Sequence, residues 1–411
     1  MLYDYHNDEL YELIKKIPKT DLHVHLDGSI RPSTLIEIAK KEKIKLPSYT
    51  EEGIGELIFK DHYADLEEYL DTFVYSGAVL QKPEYLERIA YEIAVDNQAE
   101  GVRYIEVRFA PQLHINKNMN MATVLSSVNN GLLKAQKEFN SRPEVKQNLE
   151  PPFYYAIIVS ALRAFGPFSE YYQNFLNSLS YSDMKTITGL CSLELARGAV
   201  KIRDDLGIPI MGIDLAGAEK GNPAKDHRDA FQYAHEHFMA KTVHAGEAYG
   251  PPSIFQAITD LHAERIGHGL FLFDVTKFDD DKIPDRKKYI EELSQYIADR
   301  RVTIEVCLTS NMQTNPSLKR IEDHSFKKMI EHQLSTSICT DNRTVSKTTV
   351  TNEILLAYRK FNLHPRLLKN ILVYGFKRSF FPGPYAEKRK YVRECINYYE
   401  KLVGGTPLES T

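Results

Sequence analysis

A TIM (β/α)8 barrel of the α/β class, with extra helices inserted after its first strand, is predicted by three features of this chain. Short apolar, β-branched runs alternate with longer amphipathic segments over nearly the whole length. Eight such runs stand out, at Lys19–His25, Val102–Arg108, Phe153–Ser160, Ile210–Asp214, Lys241–Ala245, Arg265–His268, Val302–Val306 and Ser335–Thr340. No GxGxxG follows an early run, so the competing doubly wound open sheet lacks its usual phosphate-binding sign. Strands alternating with helical patterns in one chain of this size fit a closed parallel barrel.

The elements follow in order. The first run reads as a buried strand, Thr20-Asp21-Leu22-His23-Val24-His25, with polar groups at its end. Pro32 to Glu100 is far too long for one crossover and must hold additional helices, the last of them the amphipathic Glu84–Glu100 segment. Asn140–Pro152, polar and containing proline, reads as a surface loop. Ser192–Leu206 is a second clear helical pattern. Asp274–Arg286, with Asp279, Asp280 and Asp281 in succession, reads as a solvated loop. The tail after Gly404 is short and polar and is expected to fray. With 411 residues, 43% of them hydrophobic, the chain can bury a sizeable core, and it reads as one barrel domain over 1–411. That domain carries a helical insert at about 32–100 and a C-terminal helical extension.

Composition narrows the function. A formal charge of -4 shows no basic footprint for nucleic acid. No apolar run approaches membrane-spanning length, and Met1 to Lys16 lacks the pattern of a signal peptide. The four cysteines, Cys191, Cys307, Cys339 and Cys395, are widely spaced and form no CxxC pair. This suits a reducing, cytoplasmic setting and argues against a cysteine zinc site.

The chemistry lies at strand ends, where such barrels place their active sites. His23 and His25 are one residue apart on an extended strand, so they project to the same side. The fifth strand ends in His244-Ala245-Gly246-Glu247, the sixth in Gly267-His268-Gly269 and the eighth in Thr340-Asp341-Asn342. Each alone is an ordinary polar strand end; together they place imidazoles or carboxylates at four termini in register with the barrel. Three imidazoles and a carboxylate favour zinc, with iron or manganese as alternatives. A metal with an open position would lower the pKa of its water and supply hydroxide for hydrolysis.

The order HxH, HAGE, GHG, TD, with Met211-Gly212-Ile213-Asp214-Leu215-Ala216-Gly217 and Tyr104-Ile105-Glu106-Val107-Arg108, resembles the adenosine deaminase family of zinc hydrolases. The resemblance covers nearly the whole chain. It implies a TIM barrel that hydrolyses the 6-amino group of a purine and releases ammonia, with one Zn2+ per chain. It also implies that His23, His25, His244 and Asp341 bind the metal, and that a protonated Glu247 donates to purine N1. By the same resemblance His268 holds the attacking hydroxide and takes or stabilises its proton, while Asp341 orients it. His25 also borders the substrate. The Gly217 N–H faces purine N3, where a missing side chain permits close approach, and Asp27 accepts from a sugar hydroxyl. The family usually carries two consecutive acids at the eighth strand. Here the second is Asn342, whose amide can donate to purine N7 without first being protonated. Leu66, Tyr69, Leu70 and Phe73 follow the i, i+3, i+4, i+7 spacing of one apolar helix face and align with the family's hydrophobic gate, although an ordinary core stripe has the same spacing. Arg108 and Arg163 lie near strand ends, where they line the pocket or form structural ion pairs.

The substrate implied is a small purine nucleoside, adenosine or 2′-deoxyadenosine. Adenine, the monophosphate and 5′-modified adenosines are the alternatives, and like-charge repulsion from Asp27 weighs against a 5′-phosphate. A two-metal amidohydrolase is disfavoured because no lysine follows the fourth strand until Lys220. A cytidine-deaminase type of site is disfavoured because HxE and PCxxC are absent. A non-catalytic nucleoside-binding barrel would be free to lose a ligand or Glu247, and none is missing. Oligomeric state is not legible in one chain.

Overall fold

The computed structural model describes residues 9–167, 169–278 and 283–409. Its eight strands are β1 (Lys19–His25), β2 (Val102–Phe109), β3 (Tyr154–Leu162), β4 (Ile210–Ala216), β5 (Ala240–Ala245), β6 (Arg265–His268), β7 (Thr303–Val306) and β8 (Thr336–Ile338). They pair in sequence order, and every adjacent pair is parallel. All eight expected strands are present, with ends shifted by at most two residues. Their residues are almost all buried, as befits strands covered on one side by helices and on the other by the barrel interior.

The ring closes by an unusual seam. β8 stops at Ile338, and Asp341, beyond its end, forms a parallel bridge with Val24 of β1. The Asp341 N–H donates to the His23 carbonyl at 2.8 Å, and the His25 N–H donates to the Asp341 carbonyl at 2.8 Å. Asp341 has φ +63, a left-handed conformation that is costly for a residue with a Cβ.

The insert after β1 is helical, as expected, with helices at Pro32–Glu42, Glu51–Leu57, Leu66–Asp71, Phe73–Val79 and Pro83–Ala99. Pro32 and Pro83 stand at helix starts, where a missing N–H costs nothing. Asp65 caps its helix by accepting from the Glu68 N–H at 2.9 Å. The stripe Leu66, Tyr69, Leu70, Phe73 does not lie on a single helix. Thr72 interrupts it: its N–H and Oγ1 both turn back to the Tyr69 carbonyl, at 3.2 and 2.7 Å.

The helix expected at Ser192–Leu206 starts earlier, at Met184, because Asp183 caps it by accepting from the Thr186 N–H at 2.8 Å. Helices at Val350–Lys360, Pro365–Arg378 and Tyr385–Val403 form the C-terminal extension. Up to Glu409 the tail does not fray as expected. Leu408 is fully buried, and Glu409 accepts from the Gly405 N–H at 2.8 Å. Asp279–Asp281 lie outside the described residues. All four cysteines are buried and free. Among the described residues no helix is long and apolar enough to cross a membrane.

Candidate active site

The C-terminal ends of β1, β4, β5, β6 and β7, with the turn after β8, converge on one buried cluster. His23, His244, His268 and Asp341 offer ligand-capable atoms that all lie within 4.8 Å of one another. His25 joins them: its Nε2 is 3.3 Å from His244 Nε2 and 3.4 Å from Asp341 Oδ1. His23 Nε2 is also 3.4 Å from Asp341 Oδ1. Zinc held tetrahedrally at about 2.0–2.1 Å would have ligand atoms roughly 3.3–3.4 Å apart, so these spacings fit a metal of that size.

The outer faces of these side chains strengthen the fit. His23 Nδ1 bonds Glu305 Oε2 at 2.8 Å, and His244 Nδ1 bonds Asp214 Oδ1 at 3.0 Å. A carboxylate fixes the proton on Nδ1 and turns the Nε2 lone pair inward. His23 Nε2 is buried and has no hydrogen-bond partner, which is costly unless a cation takes its lone pair. Asp341 Oδ2 accepts from Ser310 Oγ at 2.6 Å, and Oδ1 accepts from Asn342 Nδ2 at 2.8 Å. The neighbouring imidazoles hold the Asp341 carboxyl well below the ordinary carboxylate range despite its burial.

Glu305 and Asp214 belong to an ionic network inside the barrel. Glu305 accepts from Arg265 Nε at 2.6 Å, Arg108 Nη2 at 3.0 Å and Thr242 Oγ1 at 3.0 Å. Arg265 also pairs with Glu106, and Arg108 lies 3.6 Å from Asp214. Buried charges survive only when paired in this way. Arg108 is therefore a structural ion-pair residue. Arg163 also plays a framework role, donating to the carbonyls of His244 at 2.6 Å and Asn222 at 2.5 Å.

Glu247 stands beside the cluster, with Oε1 3.7 Å from His268 Nε2. Burial, reinforced by the nearby Asp341 and Glu219 charges, pushes its pKa from 4.5 up to about 8. Its loop is pinned by Glu219, which accepts from the N–H groups of Gly246 (3.0 Å), Glu247 (3.0 Å), Ala248 (2.7 Å) and Tyr249 (2.9 Å) and from Ser253 Oγ (2.5 Å). A relay fixes His268. The Phe326 N–H donates to His324 Nδ1 (3.0 Å), His324 Nε2–H to Asn311 Oδ1 (3.1 Å), and Asn311 Nδ2 to His268 Nδ1 (3.0 Å). Neutral His268 therefore carries its proton on Nε2. Its backbone, like that of Asp341, is left-handed, at φ +67.

Gly217 ends β4 at φ +92, a conformation that favours glycine. Asp27 Oδ1 is buried without a hydrogen-bond partner, and burial raises the carboxyl pKa to about 6. Asn342 spends both amide hydrogens within the protein, on Asp341 and on Tyr69 Oη at 2.8 Å. A Cβ on Gly28 would overlap its Oδ1. A cavity of about 410 Å³ opens outward from Glu247; Leu66, Tyr249, Phe271 and Lys277 are among its walls. Tyr69 is buried against the core, and Leu66 and Phe73 pack there partly exposed. Leu70 is half-buried.

Sequence reasoning named the inner residues but missed Glu219, Glu305, Ser310 and Asn311. Glu305 carried a signal, a lone acid in the apolar run Thr303-Ile304-Glu305-Val306.

Comparisons place this geometry among known proteins. The family model described as adenosine deaminase matches residues 18–149 and 178–398. An adenosine deaminase of Mycobacterium avium (strain 104) is 32% identical over 396 residues, 96% of this chain and 98% of that one. An adenosine deaminase of Clostridium perfringens (strain SM101 / Type A) is 34% identical over 375 residues, 91% of this chain and 97% of its own. The crystal structure of Arabidopsis N6-mAMP deaminase superposes with a TM-score of 0.70 at 25% identity, covering 94% of this chain and 99% of that one.

Proposed function

This chain belongs to the adenosine deaminase family, and on that premise we propose that it hydrolyses the 6-amino group of adenosine or 2′-deoxyadenosine, yielding inosine or 2′-deoxyinosine and ammonia. The observation that carries this reading is a buried Glu247, its pKa pushed up to about 8, held beside His268 and a cluster of metal-ligand type. His23, His25, His244 and Asp341 would hold one zinc ion per chain. When bound, zinc supplies Lewis acidity that brings the pKa of water toward neutrality.

The residues divide the remaining work. Glu247 donates its proton to purine N1, which weakens the ring's resistance to attack at C6. His268, fixed as the Nε2–H tautomer, holds the attacking water, and Asp341 orients it. The N–H of Gly217 meets purine N3. The unpartnered Asp27 Oδ1 accepts from a sugar hydroxyl. Asn342 reaches N7 by giving up its bond to Tyr69, and the partly exposed faces of Leu66, Leu70 and Phe73 gate the entrance. Four free buried cysteines support a cytoplasmic setting.

The test is an ammonia-release panel of adenosine, 2′-deoxyadenosine, adenine, the monophosphate and 5′-modified adenosines, with and without a chelator. Release from the two nucleosides, abolished by the chelator, is expected. No release from any 6-aminopurine would refute the reading.

A further inference from the structure

A second concave site lies at the opposite end of the barrel. Arg265 begins β6 and Val302 precedes β7, so the walls they share face away from His268 at the far end of β6. The cavity measures about 470 Å³, within the range of small-molecule sites. Its lining includes Arg300, Arg301, Lys377, Arg378 and Lys388, with Glu264 as its acid. This is a concentrated positive field on a chain whose formal net charge is -4.

The fold does not neutralise it. Among the described residues none of these five cations forms a salt bridge. Glu264 is paired with Lys241 at 2.9 Å, and nearby Glu106 is taken by Arg265. Several of the cations are held in place. Arg300 lies over the Tyr296 ring at 3.7 Å, and Lys388 Nζ donates to the Ser379 carbonyl at 2.7 Å. Arg378 is half-buried, and its Nε is shielded from solvent with no hydrogen-bond partner. Unpaired like charges gathered in a partly desolvated concavity repel one another and raise the local anion concentration. Guanidinium groups match phosphate oxygens in bidentate geometry.

The geometry points to a binding site for a small phosphorylated anion in this cavity, separate from the catalytic face and built from Arg300, Arg301, Lys377, Arg378 and Lys388. Free pyrophosphate and the phosphate groups of a nucleotide share the chemistry it recognises. A concavity of this volume encloses such an anion, whereas a nucleic-acid backbone needs a longer basic track.

The experiment titrates inorganic phosphate and pyrophosphate into the full-length protein by calorimetry. The comparison is an Arg301→Gln/Lys377→Gln double variant, both positions being exposed. One saturable pyrophosphate site per chain is expected, weakened at least tenfold in the variant and by rising salt. Adenosine turnover without added anion should be unchanged in the variant, which shows that it is folded. The nucleotide arm repeats the titration with a nucleoside diphosphate. Inosine should leave pyrophosphate binding intact. Equal affinity in wild type and variant, displacement of pyrophosphate by inosine, or saturable binding of an RNA oligonucleotide but not of pyrophosphate would each overturn the proposal.

Discussion

His25 and His244, 219 residues apart in sequence, face each other through their Nε2 atoms at 3.3 Å. With His244 Nδ1 tied to Asp214, its Nε2 offers a lone pair, and a cation between the rings satisfies both. Removing the acid that orients the neighbouring His23 should therefore weaken the metal. Glu305→Gln is expected to lower zinc affinity by about 10- to 100-fold, read by competition with a chromophoric chelator. Because Glu305 also pairs with Arg108 and Arg265, a lower melting temperature should accompany the loss.

Glu247→Gln keeps the shape of the side chain and removes its transferable proton. Metal content should stay at the wild-type value, while kcat falls by about 10²- to 10⁴-fold, the usual worth of a general acid. Loss of metal together with activity would make the residue structural.

The pH profile follows from the same group. In the proposed mechanism its acid form is the active one, and burial lifts its pKa to about 8. Activity limited by this group should hold below that pH and decline above it, a limb that Glu247→Gln lacks. Stability has the matching sign. From pH 4.5 to about 8 the folded chain keeps a proton that the unfolded chain has released. Stability from this group therefore falls as pH rises through that window. Urea unfolding of wild type against Glu247→Gln across the window would show it.

Asp27→Ala should separate nucleoside from base. A hydrogen bond to a charged group is worth about 1.5–3 kcal/mol, roughly 10- to 150-fold. KM for adenosine should rise by about that factor while turnover of adenine is unaffected. Equal effects on both would remove the sugar role.

Tyr69 and Asn342 form a chain from the insert to Asp341. Tyr69→Phe frees one Asn342 amide hydrogen and should leave kcat within a few-fold. Asn342→Ala should cost at least tenfold in kcat/KM, and the double variant should cost no more than Asn342→Ala alone. Additive losses would show that the two residues act separately.

Much of this site was legible in the sequence because its inner residues sit at strand ends, where alternation fixes direction. The spacing of His23 and His25 settled their common side, and the HAGE and TD segments fell at the rim the barrel requires. The supporting groups were hidden because their partners are distant: nothing local ties Glu219 to the turn after His244, or His324 to His268 through Asn311. The single gate helix failed at Thr72, whose side chain competes for the Tyr69 carbonyl, a choice that apolar spacing does not register. The ordered tail escaped because one apolar residue, Leu408, outweighs its polar neighbours.

The seam between the first and last strands has a consequence for biosynthesis. A ribosome releasing this polypeptide exposes both β1 histidines early, yet the barrel cannot seal until Asp341 has emerged and docked between them. Nascent chains that stop short of Asp341 would be both open and inert, so catalytic competence waits on the docking of that residue against β1.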